Sequence, residues 1–532
     1  MRILVIGLDA ATLDLVEPWA RAGRLPALSR LMARGFSGRL LSTPNMHSAS
    51  AWTSILTGLD PGKHGLFVFS DRDFTTGRQE FFTGGDRQAE TLGAHLARQG
   101  LTSTFLNVPM TYPAEGEEGS FMVSGLDAPD LNEKAFYPPE LRKELLGRFA
   151  RYRFSPAELG DLMRAGKVKE ATRAWIDLVG EQTDVAEYLI ATKATDFFMV
   201  VYTASDWAGH NLWDRPDELL AVYAALDEAI ERVSEHSNPE TQIYVISDHG
   251  MGRHSGASYH LADWLGAHGY MTRTPRGSGR PTGLEVLNRG KSLARAVIPS
   301  GVKERIKSRI GGERVKRLQA KEKDSFYASI DWGQTVAYSE PGRHVININL
   351  AGRNGDGIVP ESEYSETCER IARELRQWVD AKGEPVVERV IRRDEAYSGP
   401  FVERASDLYV YWNARADLGP PPAEVRSKGF WWKGDHRREG VLIACGPGMR
   451  QASATTELKI YDFVPTVMYA TGLAIPNGLD GRILGEIFTD GFRAATPLRF
   501  GNGAVGPAGH DSQLSEDEEQ MIEEKLRGLG YL

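Results

Sequence analysis

Short apolar runs alternate along this chain with longer amphipathic stretches, and few folds accommodate that pattern. The runs are Arg2–Leu8, Ser103–Asn107, Phe197–Tyr202, Gln242–Ile246, Asp407–Trp412 and Val441–Cys445. The first reads as a buried strand with a helix opening from Thr12, and the others resemble it. Between most of them lie helical patterns, Thr91–Gln99, Val168–Lys193, Pro216–Glu235 and Asp462–Thr471. Strand and helix in alternation predict an α/β fold, a largely parallel central sheet covered by helices on both faces. In such sheets ligands gather beyond the carboxyl ends of the strands.

One stretch interrupts the alternation. From 271 to 325, fifteen Lys/Arg stand against five Asp/Glu, whereas the whole chain carries a net charge of −9. Gly, Pro and Ser lie near its start, and amphipathic pieces follow at Val302–Ile310 and Glu313–Gln319, which predicts a basic helical insertion or cap. The expected organisation is a catalytic core in two parts, 1–270 and 326–490, split by that insertion. Residues 491–532 then form a linker through the Gly-rich Gly501–Gly509 and a final helix, Ser515–Leu529. The acidic balance argues against nucleic-acid binding by the chain as a whole. No stretch approaches the roughly 18 consecutive apolar residues that a membrane span needs, and Asp9 cuts the apolar opening too early for a signal peptide, so a cytoplasmic location is expected. Two cysteines, Cys368 and Cys445, cannot build a disulfide framework or a cysteine-rich zinc site, and any metal must be held by nitrogen and oxygen.

Such ligands stand at the ends of the predicted strands. Asp9 ends the first run, Asp206 and His210 follow Phe197–Tyr202, Asp248 and His249 end Gln242–Ile246, and His436 precedes Val441–Cys445. Asp206 and His210, four residues apart, share one face of a helical turn, as joint ligation requires. Taken singly, an Asp at a strand end is usually a cap or turn former, and a histidine is usually structural. Six of them at one predicted edge read differently, because buried carboxylates there are costly without cations. Ser48 precedes the helical run Ala49–Thr57 and is expected at its N-cap, a position that suits an incipient alkoxide or a phosphoryl group; Ser50 is the nearby competitor. His254 and His260 are candidates to line the pocket, with Trp431, Trp432 and Lys433 as an apolar wall and cationic contact. His47 is a candidate to support Ser48 from behind. For each of these, packing or solvation is the ordinary alternative.

The ordered set Ile3–Asp9, Ser48 through Gly58 to Pro61-Gly62-Lys63-His64-Gly65, Ser205-Asp206 with His210, Ser247-Asp248-His249-Gly250 and Gly434-Asp435-His436 resembles the alkaline phosphatase superfamily. More closely it is similar to the type I phosphodiesterase/nucleotide pyrophosphatase branch, including bacterial members described as phosphohydrolases or phosphomutases. Asn107 through Pro113 and Asp462 with Pro465-Thr466 extend the likeness to about residue 490. The resemblance implies an alkaline phosphatase-like fold and two divalent metal ions, usually zinc, with manganese as the alternative. One ion would be bound through Asp206, His210 and His436, the other through Asp9, Ser48, Asp248 and His249, with Ser48 as nucleophile and a phosphoserine intermediate. Pyrophosphatase-like members more often carry threonine as nucleophile. They also carry an asparagine that helps hold a phosphoryl oxygen where the spacing here offers Phe69. Sulfatases need Cys or Ser-x-Pro-x-Arg at the nucleophile, and Ser48-Ala49-Ser50 lacks both Pro and Arg.

The expected activity is hydrolysis of a small phosphate ester, a diester in preference to a monoester. Phosphomutase-type transfer through the same phosphoserine is the rival reaction, and a metal-binding scaffold whose basic segment docks an acidic partner is the rival without catalysis. The basic segment is expected to form a lid over the pocket.

Overall fold

The computed structural model describes residues 1–73, 79–156, 158–274, 326–353, 357–423, 425, 431–501 and 514–529. Most of the expected basic insertion and the Gly-rich linker fall outside these residues. Ten strands form the main sheet. Eight of them are β1 (Ile3–Leu8), β2 (Phe36–Leu41), β3 (Ser103–Val108), β4 (Phe121–Ser124), β5 (Phe136–Tyr137), β6 (Phe197–Tyr202), β7 (Gln242–Ile246) and β8 (Glu439–Cys445). They lie in the order β2-β8-β7-β1-β6-β3-β4-β5, and the short strands Ala452–Ser453 and Leu458–Lys459 both pair with β2. β1 is parallel to both its neighbours, β6 and β7, and β3 is parallel to β6 and β4.

Alternate residues of β1 supply the two cores. Leu4, Ile6 and Leu8 join Val16, Leu28, Trp175 and Tyr223 on one face, while Ile3 and Val5 join Trp52, Ile55, Phe463 and Val467 on the other. Burying each such side chain contributes about 1.5–3 kcal/mol, so both faces must be covered, and the helices do this. The expected helices are present within a few residues of their predicted ends, at Leu13–Arg21, Leu92–Arg98, Val168–Thr192, Pro216–Glu235, Phe463–Ala470 and Glu516–Leu529. Gly7 makes one close approach possible. A Cβ there would lie 2.7 Å from the Trp52 ring and 2.8 Å from Val201, so only glycine lets the helix Ser48–Thr57 lay its indole across β1.

Two runs pair differently from the simple alternation. The Val441–Cys445 run, within β8, is antiparallel to both β7 and β2. The reason lies in the chain path. β7 runs on into Gly250–Arg253, which pairs antiparallel with Gly434–Arg437, and that strand leads straight into β8. The Asp407–Trp412 run is not part of the main sheet. Its strand, Leu408–Trp412, lies in a separate antiparallel sheet between Val345–Ile348 and Val387–Arg392, with Ala337–Tyr338 on the outer edge. Helices Ala257–Ala267 and Tyr364–Leu375 complete its own apolar cluster. Asp407 is fully buried and accepts from Ile348 N–H at 2.6 Å, from the Tyr364 hydroxyl at 2.8 Å, and from both Arg353 terminal nitrogens at 2.9 and 2.6 Å. Among the described residues no helix is long and apolar enough to cross a membrane.

Candidate metal centre

The carboxyl ends of β1, β6 and β7 meet at one point, and the ribbon Gly250–Arg253/Gly434–Arg437 brings the sixth ligand candidate to it. Asp9 follows β1 and donates its backbone N–H to the Tyr202 carbonyl at 3.0 Å. Asp206 and His210 lie on the helix Ala204–Leu212 that follows β6, Asp248 and His249 follow β7, and His436 is on the ribbon. Asp9, Asp206, Asp248 and His249 are all 0% exposed.

The backbone fixes how each imidazole faces. His210 Nδ1 lies 3.0 Å from the Gly434 carbonyl, His436 Nδ1 2.7 Å from the Met46 carbonyl, and His249 Nδ1 3.1 Å from the Gly250 carbonyl. A carbonyl only accepts, so each Nδ1 carries the proton and each neutral ring turns a bare Nε2 toward the centre. The Gly434 contact depends on glycine, because a Cβ there would lie 2.3 Å from the Gly209 carbonyl oxygen. The result is a convergence of acceptors. His210 Nε2 and His436 Nε2 are 2.8 Å apart, and Asp206 Oδ1 is 3.3 Å from the first and 3.2 Å from the second. On the other side, His249 Nε2 lies 3.3 Å from Asp248 Oδ2 and 3.7 Å from Asp9 Oδ1. Asp9 Oδ1 and Asp248 Oδ2 have no hydrogen-bond partner though both are buried. Lone pairs crowded in this way repel unless a cation lies between them, so this chain's own residues fit a metal.

The ionisation of the carboxylates tells the same story. Burial, and then the charges of Asp248 and Asp206, push Asp9 well above its ordinary value, while burial raises Asp248 to about 7. Burial acts to raise Asp206 too, but the charge and hydrogen bonds that His210 and His436 offer it when protonated outweigh burial and hold the carboxyl well below its usual value; with the rings neutral, a bound cation is what would take that part. Among the described residues two groups could hold an ion, Asp206 with His210 and His436, and Asp9 with Asp206 and His249. Asp206 borders both.

Ser48 enters from the other face of the sheet. It is the first residue of the helix Ser48–Thr57 rather than its cap; the capping position belongs to His47, whose Nδ1 accepts from Ala49 N–H at 3.2 Å. Ser48 Oγ lies 3.1 Å from His249 Nε2. Ser50 Oγ is turned away, within 2.8 Å of Asn45 Oδ1, 2.9 Å of the His47 carbonyl and 3.1 Å of Thr43 Oγ1. Trp52, one turn on from Ser48, donates Nε1–H to Asp9 Oδ2 at 3.2 Å. His64 of the Pro-Gly-Lys-His-Gly turn accepts from Leu66 N–H through Nδ1, so its Nε2–H faces Ser54 Oγ at 3.0 Å and fastens the helix Ser48–Thr57 from behind.

The expected substrate contacts divide. Trp432 is half-buried and stacks on His210 with ring centroids 3.8 Å apart, forming a wall of the centre. Lys433 instead sets its ammonium 4.1 Å from the centroid of the Trp431 ring. Phe69 is buried in the core and meets His47 edge to face at 5.1 Å. His254 is drawn into structure: its Nδ1 accepts from Gly256 N–H at 2.8 Å, its ring stacks on Tyr259, and its Nε2 lies 3.8 Å from Asp435 Oδ2. His260 Nε2 lies 3.2 Å from the Pro420 carbonyl.

Sequence reasoning passed over Asp435 and His344. Asp435 is 2% exposed and accepts from His436 N–H at 3.1 Å, and His344 Nε2 reaches its Oδ1 at 2.8 Å from the second sheet. Burial acts to raise the Asp435 carboxyl, but His344 and His254 outweigh it and hold it well below its usual value. An acid immediately before a candidate ligand histidine was a signal in the sequence. His344 gave none.

The arrangement can now be set against known proteins. No curated protein matches the sequence. Among solved structures, wild-type alkaline phosphatase PafA superposes with a TM-score of 0.52 at 16% identity, over 91% of this chain and 99% of that one. Phosphonoacetate hydrolase from Sinorhizobium meliloti in complex with phosphonoacetate gives 0.52 at 14%, over 88% and 95%. Human ectonucleotide pyrophosphatase/phosphodiesterase 5 gives 0.50 at 11%, over 92% and 100%. At these identities the likeness is one of fold, and it is the alkaline phosphatase-like fold. The sequence profile of the type I phosphodiesterase/nucleotide pyrophosphatase family matches residues 3–419, which takes in every ligand candidate except His436. The chain therefore belongs to the type I phosphodiesterase/nucleotide pyrophosphatase family, phosphate-ester hydrolases within the alkaline phosphatase superfamily.

Proposed function

We propose that the protein is a phosphodiesterase that uses Ser48 as nucleophile beside two divalent metal ions, zinc by the character of the nitrogen and oxygen donors. Asp206, His210 and His436 would hold one ion, and Asp9, Asp248, His249 and Ser48 the other. Charge neutralisation at the attacking and leaving oxygens is what a pair of such ions supplies to phosphoryl transfer. The observation that carries the reading is the placement of Ser48 Oγ, at the start of a buried helix, 3.1 Å from His249 Nε2, the same nitrogen that lies 3.3 Å from the unpartnered Asp248 Oδ2 and 3.7 Å from the unpartnered Asp9 Oδ1.

The residues then have distinct tasks. Ser48 Oγ forms a bond to phosphorus as the bond to the leaving oxygen breaks, which yields a phosphoserine and the released alcohol. Water attacks the same phosphorus in the second step and returns the serine. The first turn of the helix adds a favourable field for the anion. Trp52 holds Asp9 in place, and the Met46, Gly250 and Gly434 carbonyls hold the three imidazoles. Phe69 offers no polar atom to the phosphoryl group, so ground-state grip on a small dianionic monoester is weak and the second ester group supplies binding energy.

The test is turnover of matched aryl phosphate diester, monoester, phosphonate and sulfate substrates by zinc-loaded and manganese-loaded protein. The diester should react fastest and the sulfate least. Ser48→Ala should retain metal and lose more than about a hundredfold in kcat. Near-normal turnover in that variant would assign the attack to water or to Ser50.

A further inference from the structure

The second sheet sends one turn, Glu340–His344, to the rim of the metal centre. Gly342 N–H donates to the Ser258 carbonyl at 3.1 Å, Arg343 N–H donates to the Glu340 carbonyl at 3.1 Å, and His344 Nε2 lies 2.8 Å from Asp435 Oδ1. The turn is thus fixed on both sides of Arg343, and on one side the anchor is the residue before His436. The Arg343 guanidinium itself is lightly held. Its Nε is 3.4 Å from Glu340 Oε2, long for a charge-assisted hydrogen bond, and its side chain is 31% exposed. Glu340 is shared, since it also accepts from the Tyr327 hydroxyl. Among the described residues the terminal nitrogens of Arg343 make no hydrogen bond.

Other cations nearby are committed. Arg437 donates to the His436 and Arg253 carbonyls at 2.8 and 2.5 Å, Arg438 to the Ser42 carbonyl at 3.1 Å, and Lys433 rests on Trp431. Arg343 keeps a planar fork of donors uncommitted, the geometry that matches a carboxylate or a phosphate. Which part of a substrate it meets follows from the line of displacement. Ser48 attacks from beside His249, so the leaving group departs toward the Asp206, His210 and His436 side. Asp435, the anchor of the turn, stands on that side.

We propose that Arg343 determines specificity by contacting an anionic group, a carboxylate or a second phosphate, carried on the leaving group of the substrate. The proposal rests on the phosphoryl-transfer reading above. The physiological ester is then one whose alcohol product is itself an anion.

The experiment uses the full-length, metal-loaded protein and methyl aryl phosphodiesters of matched leaving-group acidity, whose rings bear a carboxylate, a phosphate or a neutral carboxamide. The wild type should favour an anionic ring over the neutral one by about tenfold or more in kcat/KM, and the two anionic arms separate carboxylate from phosphate. Arg343→Gln should collapse that ratio toward one, and Arg343→Lys should keep part of it. Raising the ionic strength should shrink the wild-type ratio. Calorimetric binding of the matching non-hydrolysable aryl phosphonates gives a readout apart from turnover. A ratio near one in the wild type, or a ratio unchanged in Arg343→Gln, overturns the proposal. If no diester is hydrolysed but the carboxylate-bearing phosphonate binds about tenfold tighter and Arg343→Gln abolishes the difference, the specificity assignment stands and the reaction assignment fails.

Discussion

Gly7→Ala should damage the metal centre from the opposite end of an indole ring. The new methyl would lie 2.7 Å from Trp52 Cη2 and 2.8 Å from Val201 Cγ2, and both side chains are fully buried, so neither is a flexible end that swings aside. Ordinary carbon contacts begin near 3.5 Å, and relief therefore needs a shift of about 0.8 Å. Overpacking of this kind costs about 1–3 kcal/mol, against a gain of about 0.4–1 kcal/mol from the stiffer unfolded chain, so the net effect is destabilising. The indole takes its N–H with it. Trp52 Nε1 now stands 3.2 Å from Asp9 Oδ2, and a displacement of that size away from Asp9 breaks the bond. Loss of a group that orients a ligand costs about 10–100-fold in metal affinity. Thermal midpoints and zinc titration against a competing chelator measure the two effects, and Trp52→Phe separates them by removing the donor while leaving most of the ring. Wild-type midpoint and wild-type affinity in Gly7→Ala would refute the reasoning; wild-type affinity in Trp52→Phe would show that the indole does not orient Asp9.

Two further outcomes are expected beside the Ser48→Ala result. Asp435→Asn should weaken zinc binding by about 10–100-fold in chelator competition, because His436 loses the charged partner that fixes its strand to His344; unchanged affinity would reduce Asp435 to packing. Lys525, on the C-terminal helix Glu516–Leu529, donates to the Leu126 and Ala128 carbonyls and is lowered by burial to about 8. A lysine lowered on folding makes the native state less stable below that value than it is near pH 10.5, with a span of about 3 kcal/mol. Lys525→Met should therefore gain on the wild type at pH 7 and surrender the gain as pH rises toward 10, read by amide exchange in the helix Glu516–Leu529. A gain independent of pH would mean that the ammonium is not desolvated there.

How much of this was legible in the sequence depends on the range of the interaction concerned. β1, β6 and β7 are buried on both faces, and Leu4, Ile6 and Leu8 against Ile3 and Val5 leave no doubt from composition alone that two layers cover them. The Asp407–Trp412 run has the same local character, yet its strand pairs with Val345–Ile348 and Val387–Arg392 in another sheet. Apolar periodicity encodes burial and carries no partner, and the buried Asp407 that accepts from Ile348, Tyr364 and Arg353 makes the choice at long range. The reversed β8 is of the same kind. Its direction follows from the ribbon Gly250–Arg253/Gly434–Arg437, whose two halves are far apart in the chain.

The site divides along the same line. Asp9, Asp206, His210, Asp248 and His249 were readable because a parallel sheet brings its carboxyl ends together and a run of acids and imidazoles there has few structural uses. His436 was readable through its motif rather than its strand. Orientation was not readable, because it is set by groups without sequence character. The carbonyls of Met46, Gly250 and Gly434 accept from the far nitrogens, which keeps the proton there and bares the near ones, and no residue type announces a carbonyl. The helix start shows the cost of one residue. Ser48 at the cap would have spent its oxygen on a backbone N–H, as His47 Nδ1 does for Ala49, and could not also face His249. Because His47 takes that duty, the serine oxygen is left to face His249, and replacing His47 with an apolar residue would leave the helix start uncapped while Ser48 kept its place one residue inside it.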